Sequence, residues 1–233
     1  MKDHITIKGE DGAWGAYIAP PKDLPAPAVV VLHEVFGVNA DIRKTCDEMA
    51  EQGFLAIAPD LFWRQEPGVD LGVTSESDWQ HGLRLYQAFD REAGAKDVKS
   101  TVEFVTRLPE CTGKVAVMGF CLGGLMTFLT AVRYGVDAAV VYHGGDTEKY
   151  LDELNGLLGP MIMHLGEEDE SSPSPRKLKS KWRLQTSRTR LSTATRVSIT
   201  PSLAIMGHTT MPRQHRLRTS GQGHFYLCGN LKS

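Results

Sequence analysis

The sequence predicts an α/β domain with a mostly parallel sheet and helices on both faces, and three observations carry that expectation. Apolar runs alternate with segments of helical spacing through the first 165 residues. Several of the runs are apolar throughout rather than alternating, as strands covered on both faces should be. The resulting βαβα order favours parallel pairing through helical crossovers. With 233 residues the chain can bury a full core, and it reads as one such domain with small embellishments.

Taken in order, Ala26–Leu32 (A-P-A-V-V-V-L) is a buried strand. Residues 41–52 place Ile42, Cys46, Met49 and Ala50 on one helical face. Residues 54–58 form a second strand, stopped by Pro59. Residues 63–78 are a polar loop with Gly and Pro, and 79–89 and 93–108 are helices, the second with Val98, Val102 and Val105 aligned. Residues 115–118 are a short strand and 122–134 a helix, and Ala138–Tyr142 and 160–165 are two more buried strands. In sheets of this kind the chemistry lies beyond the carboxyl ends of the strands.

Composition removes several classes of function. The net charge of −2 makes no case for nucleic acid or an acidic membrane surface. The start, M-K-D-H-I-T-I-K-G-E-D-G, is too polar for a signal peptide, and no apolar run is long enough to span a bilayer. A cytoplasmic protein is expected. Cys46, Cys111, Cys121 and Cys228 lack C-x-x-C spacing, so neither a zinc site nor a redox pair is indicated. Cys46 and Cys111 read as ordinary reduced thiols.

The chemistry-bearing motif is K-V-A-V-M-G-F-C-L-G-G, residues 114–124. Gly119, Gly123 and Gly124 frame Cys121 where a strand turns sharply into a helix, a cysteine version of the nucleophile elbow. Small neighbours let strand and helix pack closely around a strained backbone. The N–H after the cysteine can then face an oxyanion. The other reading is a buried cysteine before a helix, with glycines serving only the turn.

Two further segments follow strands and carry polar groups. In H-E-V-F-G-V-N, residues 33–39, a backbone N–H can complete an oxyanion hole. Glu34 is either a partner of the thiol or another site group, or a solvated loop carboxylate; His33 reads as structural. In M-H-L-G-E-E-D-E, residues 163–170, one acid can orient a catalytic histidine. An unperturbed thiol has a pKa near ~8.5, so only a few per cent is thiolate at neutral pH, and a histidine held by an acid is the usual remedy. His143, in Y-H-G-G, precedes that acid and reads as structural or supporting.

Together the strings H-E-V-F-G-V-N, A-P-D-L-F-W-R-Q-E-P-G, Y-Q-A-F-D-R-E-A-G, G-F-C-L-G-G and H-L-G-E-E-D-E resemble the dienelactone hydrolase (carboxymethylenebutenolidase) family across residues 1–170. The resemblance implies an α/β-hydrolase-like fold and a chain order of nucleophile, acid, histidine. It makes Cys121 the nucleophile, Asp169 the acid that orients the histidine, and Glu34 the partner of the resting thiol. The N–H groups of Leu122 and Val35 would form the oxyanion hole. A small-molecule ester or lactone, an acyl-thioester intermediate and no metal or organic cofactor follow from it. Dienelactone-specific members bind the substrate carboxylate through an arginine and a tyrosine; Trp79 and Leu83 stand at the matching positions here, so dienelactone itself is not the expected substrate. Rival readings are a thiol-based amidotransferase or isomerase, and an inactive relative whose basic tail binds a partner.

The tail departs from this pattern. All 28 acidic residues precede residue 171, whereas residues 171–220 hold eleven Lys/Arg and many Ser and Thr. No strand or helix pattern of useful length is legible there. If one base is missing after Glu170, rebuilding codons across the present ones turns Ser171 to Pro175 into F-I-S-K-P. The same rule allows Q-H-H-A-F-A-R for the start of Ser198 to Pro212, and A-A-N-V-R-T-G for Leu217 to Gly223. These resemble the family's own C-terminal strings, and the histidine before A-F falls on the slot of Thr200, roughly thirty residues after Asp169. His224-Phe225-Tyr226-Leu227 then resembles the family's closing helix in the present frame. Residues 171–233 therefore read as an aberrant basic segment, out of frame to about residue 222. In the sequence as it stands no histidine occupies the family position; His224 comes too late, and His208 and His215 read as solvated side chains.

Overall fold

Along Ala26–Leu32, Val29 and Val31 enter one core while Ala28, Val30 and Leu32 enter another on the opposite face. The same alternation divides Leu55 and Ile57 from Ala56 and Ala58, and Val115 and Val117 from Ala116 and Met118. Two-sided burial is why these strands are apolar throughout.

The computed structural model describes residues 3–164 and 189–192. Its strands are β1 (Asp3–Gly9), β2 (Gly12–Ala19), β3 (Ala26–Leu32), β4 (Leu55–Pro59), β5 (Cys111–Phe120), β6 (Ala138–Tyr142), β7 (Met161–His164) and β8 (Thr189–Ser192). Among the described residues they form one sheet in the order β1-β2-β4-β3-β5-β6-β7-β8. The β1–β2 and β2–β4 pairs are antiparallel and all later pairs parallel. Helix α1 (Ala40–Glu51) sends Ile42, Cys46 and Met49 into the Val29 side. Helices α2 (Glu76–Ala88), α3 (Arg91–Thr106) and α4 (Leu122–Arg133) fill the other side, with Leu85, Val98, Leu125 and Phe128 among its residues. A 3₁₀ segment, Thr147–Gly156, adds Leu151 and Leu154 to that core.

The expected order of elements holds, with differences that have local causes. The hairpin β1–β2 was not anticipated; it turns at Gly9–Gly12, where Gly12 has φ +153, and buries Ile7, Trp14 and Ala16. Helix α2 begins at Glu76 rather than at 79 because Ser75 caps it, its hydroxyl accepting from Asp78 N at 3.2 Å. Strand β8 lies inside the tail segment expected to hold no strand. Its backbone pairs with β7 from Met161↔Thr189 to His164↔Ser192, and ladder pairing at a sheet edge needs no apolar pattern. Among the described residues no helix is long and apolar enough to cross a membrane.

Candidate active site

The carboxyl ends of β3, β5 and β6 meet at Cys121, and glycines bring them that close. Cys121 joins β5 to α4 with φ 52 and ψ −107, a conformation that costs a residue with a Cβ on the order of 1–3 kcal/mol. Its N–H donates to Tyr142 O at 3.0 Å, and two residues on, Gly123 N donates to His33 O at 3.0 Å. A Cβ on Gly119 would lie 2.2 Å from Gly123 O, and one on Gly123 would lie 2.3 Å from Leu32 O. The glycine frame read from the sequence is thus a packing requirement at both positions.

Each of α1, α2 and α3 carries a side-chain cap, from Asn39, Ser75 and Asp90, but the N-cap residue of α4 is Cys121 and makes no such bond. Leu122 N–H therefore belongs to the first turn, whose donors have no acceptor within the helix. Cys121 itself is half-buried. Cys46, by contrast, is fully buried in the α1 core, and burial pushes its thiol far up.

The loop after β3 is pinned from several sides. Gly37, at φ +75, bridges to Asp70, and Leu71 N donates to Phe36 O at 2.9 Å. Asn39 Oδ1 accepts from Ile42 N at 3.1 Å, and Arg43 donates to Val38 O at 2.6 Å and to Asp70 at 2.7 Å. Glu34 is 2% exposed, which removes the reading of it as a solvated loop carboxylate. His33 is fully buried, its Nε2 accepting from Leu61 N at 2.9 Å and its Nδ1 standing 2.6 Å from Glu34 O. Burial keeps this imidazole below its ordinary pKa.

Sequence reasoning missed a polar group beside the elbow. Tyr86 on α2 donates to Asp146 at 3.3 Å, and Arg91 reaches the same carboxylate at 3.2 Å and lies over the Tyr86 ring at 5.2 Å. Burial pushes the Tyr86 phenol up, the charges of Asp146 and Cys121 push the same way, and Arg91 opposes them. For Asp146 burial works upward too, but Lys149 and Arg91 outweigh it and hold the carboxyl below its usual range. Tyr86 was visible only as part of the Y-Q-A-F-D string. Asp146, at φ 65 after two glycines, had no sequence signal beyond its type.

The structure gathers Cys121, Leu122, Glu34 and Val35 at the ends of β3 and β5. His143 follows β6 directly at φ 47, and its N–H donates to His164 O at 3.0 Å. His164 stacks on Tyr142 at 4.6 Å, and burial first, then the charge of His143, lowers its pKa. Trp79 lies against Phe36 with ring centroids 5.9 Å apart. Asp169 and the tail histidines lie outside the described residues. No cluster of His, Cys, Asp and Glu suited to a metal ion occurs among the described residues.

A strand–cysteine–helix elbow at the carboxyl edge of a mostly parallel sheet, with helices on both faces, defines an α/β-hydrolase fold. The sequence profile of the Dienelactone hydrolase family matches residues 14–192. Carboxymethylenebutenolidase of Pseudomonas putida is 38% identical over 176 residues, 75% of each chain. Carboxymethylenebutenolidase 1 of Cupriavidus pinatubonensis is 35% identical over 170 residues, 72% of this chain and 73% of its own. A solved chain from Klebsiella pneumoniae superposes with a TM-score of 0.71 at 25% identity, covering 83% of this chain and 84% of its own length. The crystal structure of dienelactone hydrolase from Anabaena variabilis shares the fold, with a TM-score of 0.65 at 16% identity over 89% of this chain and 94% of that one. The chain belongs to the dienelactone hydrolase family, whose members hydrolyse lactones and esters.

Proposed function

We propose that this chain is built as a cysteine-dependent hydrolase of carboxylic esters or lactones, and that its turnover is impaired by loss of the catalytic histidine. The observation that carries the reading is the backbone of Cys121, held at φ 52 as the N-cap residue between a strand and a helix. Strain of this kind persists only where surrounding contacts over-determine it, and here they come from Gly123 N to His33 O and Cys121 N to Tyr142 O.

The Cys121 thiolate attacks the carbonyl carbon, forming the C–S bond and moving an electron pair onto oxygen. Leu122 N–H and Val35 N–H receive that oxyanion. Collapse expels the alcohol, which takes the proton the thiol gave up, and leaves an acyl-thioester. Water then adds to the thioester, the acid departs and the thiol is regenerated. Glu34, buried in the same loop, partners the resting thiol. A histidine oriented by Asp169 would carry the proton in both halves; in the sequence as it stands its slot is Thr200. General acid–base help is worth roughly 100- to 10,000-fold, so the chain should turn over activated esters slowly. Trp79 and Leu83 favour an ester or lactone without the carboxylate of dienelactone.

The test compares p-nitrophenyl acetate hydrolysis by the chain, by Cys121→Ala, and by a chain with residues 171 to about 222 restored to the rebuilt frame. Cys121→Ala should abolish activity in both backgrounds, and restoration should raise it at least about 100-fold. Equal rates before and after restoration would overturn the missing-base argument, as would an intact reading frame on resequencing the DNA. The eleven Lys/Arg of residues 171–220 favour one competing reading, an inactive relative with a partner-binding tail. Salt-sensitive binding of a polyanion to that segment, with no Cys121-dependent hydrolysis, would select it.

A further inference from the structure

We infer that His33 is a positioning residue for the oxyanion hole: as the Nδ1–H tautomer its ring grips the Glu34 carbonyl and so aims the Val35 N–H. The inference rests on the reading of Val35 N–H as an oxyanion donor given above.

The tautomer follows from the partners. Leu61 N–H can only donate, and it points at Nε2 at 2.9 Å, so Nε2 accepts and carries no proton. The ring is fully buried, and burial favours its neutral form. The remaining proton is on Nδ1, which donates to Glu34 O at 2.6 Å. Glu34 C=O and Val35 N–H belong to one planar trans peptide, in which the two dipoles point in opposite directions. Fixing the oxygen therefore fixes the direction of the N–H.

The main chain of the same residue completes the device. His33 O accepts from Gly123 N at 3.0 Å, next to Leu122, the other proposed donor. One residue thus holds the start of α4 by its carbonyl and the Glu34–Val35 peptide by its ring. Leu61 anchors the ring from the loop after β4, and the Phe62 ring packs against it with centroids 5.0 Å apart. Leu61 is 28 residues from His33 in sequence, so the contact ties the oxyanion loop to a neighbouring strand rather than to itself.

Two substitutions separate the ring's contacts. Asparagine places an amide nitrogen near Nδ1 and can keep the grip on Glu34 O, whereas glutamine reaches the Nε2 position and keeps only the Leu61 contact. In the full chain, His33→Gln should slow acylation by p-nitrophenyl acetate at least tenfold, since small misplacements of a catalytic group carry losses of that order or larger. It should weaken inhibition by a trifluoromethyl ketone by a similar factor, because addition of the thiolate to that carbonyl creates an oxyanion. Alkylation of Cys121 by iodoacetamide, a displacement that forms no oxyanion, should keep its rate. His33→Asn should recover much of the loss.

Equal losses in both variants, or alkylation falling in step with acylation, would overturn the inference. Retained acylation in Cys121→Ala would instead overturn the nucleophile reading beneath it. Nitrogen NMR of the His33 ring in the unmodified chain at neutral pH tests the same point without a variant: an Nε2–H tautomer or an imidazolium would refute it.

Discussion

Gly123→Ala is the sharpest test of how the elbow is assembled. The added Cβ would stand 2.3 Å from Leu32 O, 2.6 Å from Leu32 C and 2.7 Å from His33 O. Nonbonded heavy atoms rest at about 3.5 Å or more, so backbone on one side must retreat by roughly 1 Å. No flexible side chain can absorb the clash, because all three atoms are main chain. The retreat also stretches the Gly123 N to His33 O bond, now 3.0 Å. Alanine is the better helix former by about 1 kcal/mol, whereas overpacking costs typically about 1–3 kcal/mol and a broken buried hydrogen bond about 1 more. The sum is a net loss on the order of 1–3 kcal/mol, read as a lower denaturant midpoint. Acylation by an activated ester should fall about 100-fold, because the strand end that moves leads directly into the loop holding the proposed Val35 donor. Gly15→Ala is the control, since a Cβ there meets nothing within 4 Å and should change stability by no more than about 1 kcal/mol. If Gly123→Ala were as stable and as active as this control, the close approach of α4 to β3 would not be what sets the site.

Asn39→Ala removes the cap of α1 and the Nδ2 contact to Leu71 O at 3.4 Å; an unfolding midpoint should report a loss of about 1–2 kcal/mol. Arg133 grips Glu153 at 2.6 and 2.8 Å and Glu92 at 2.9 and 3.0 Å, joining α4 to the 3₁₀ segment and to α3. The bond to Arg133 holds Glu153 below its ordinary pKa of 4.5, so the stabilisation is present above that pH and is lost as pH falls through the lower, folded value. Denaturation of Glu153→Gln between pH 3 and 7 should show a small loss at neutral pH, under about 1 kcal/mol because the pair is partly solvated, and convergence with the parent at the acid end.

The parts of this protein that were legible in sequence are those where one residue type answers one physical demand. Val29, Val30 and Val31 in succession require two buried faces, and the sheet supplies two cores. Gly119, Gly123 and Gly124 around Cys121 require a turn too tight for a Cβ, and the contacts of 2.2 to 2.7 Å bear this out. The hairpin β1–β2 was missed because β1 (D-H-I-T-I-K-G) is mostly polar and β2 (G-A-W-G-A-Y-I-A) is rich in Gly and Ala, so neither shows the apolar run that marks the central strands. Strand β8 was missed because edge pairing is a backbone property that Thr189–Ser192 does not advertise.

The site divides along the same line. Glu34 and Cys121 announce themselves by type and motif, but the work of His33 depends on Leu61, 28 residues away, and that of Tyr86 on Asp146, 60 residues away. A histidine read alone offers two tautomers and a charge; only the donor facing Nε2 selects among them. Leu61→Pro, which removes the N–H that faces Nε2, therefore acts on the oxyanion loop through His33 although it touches no proposed catalytic group. Loss of that single donor frees Nε2 to take the proton, and the neutral Nε2–H tautomer leaves Nδ1 without the hydrogen it donates to Glu34 O.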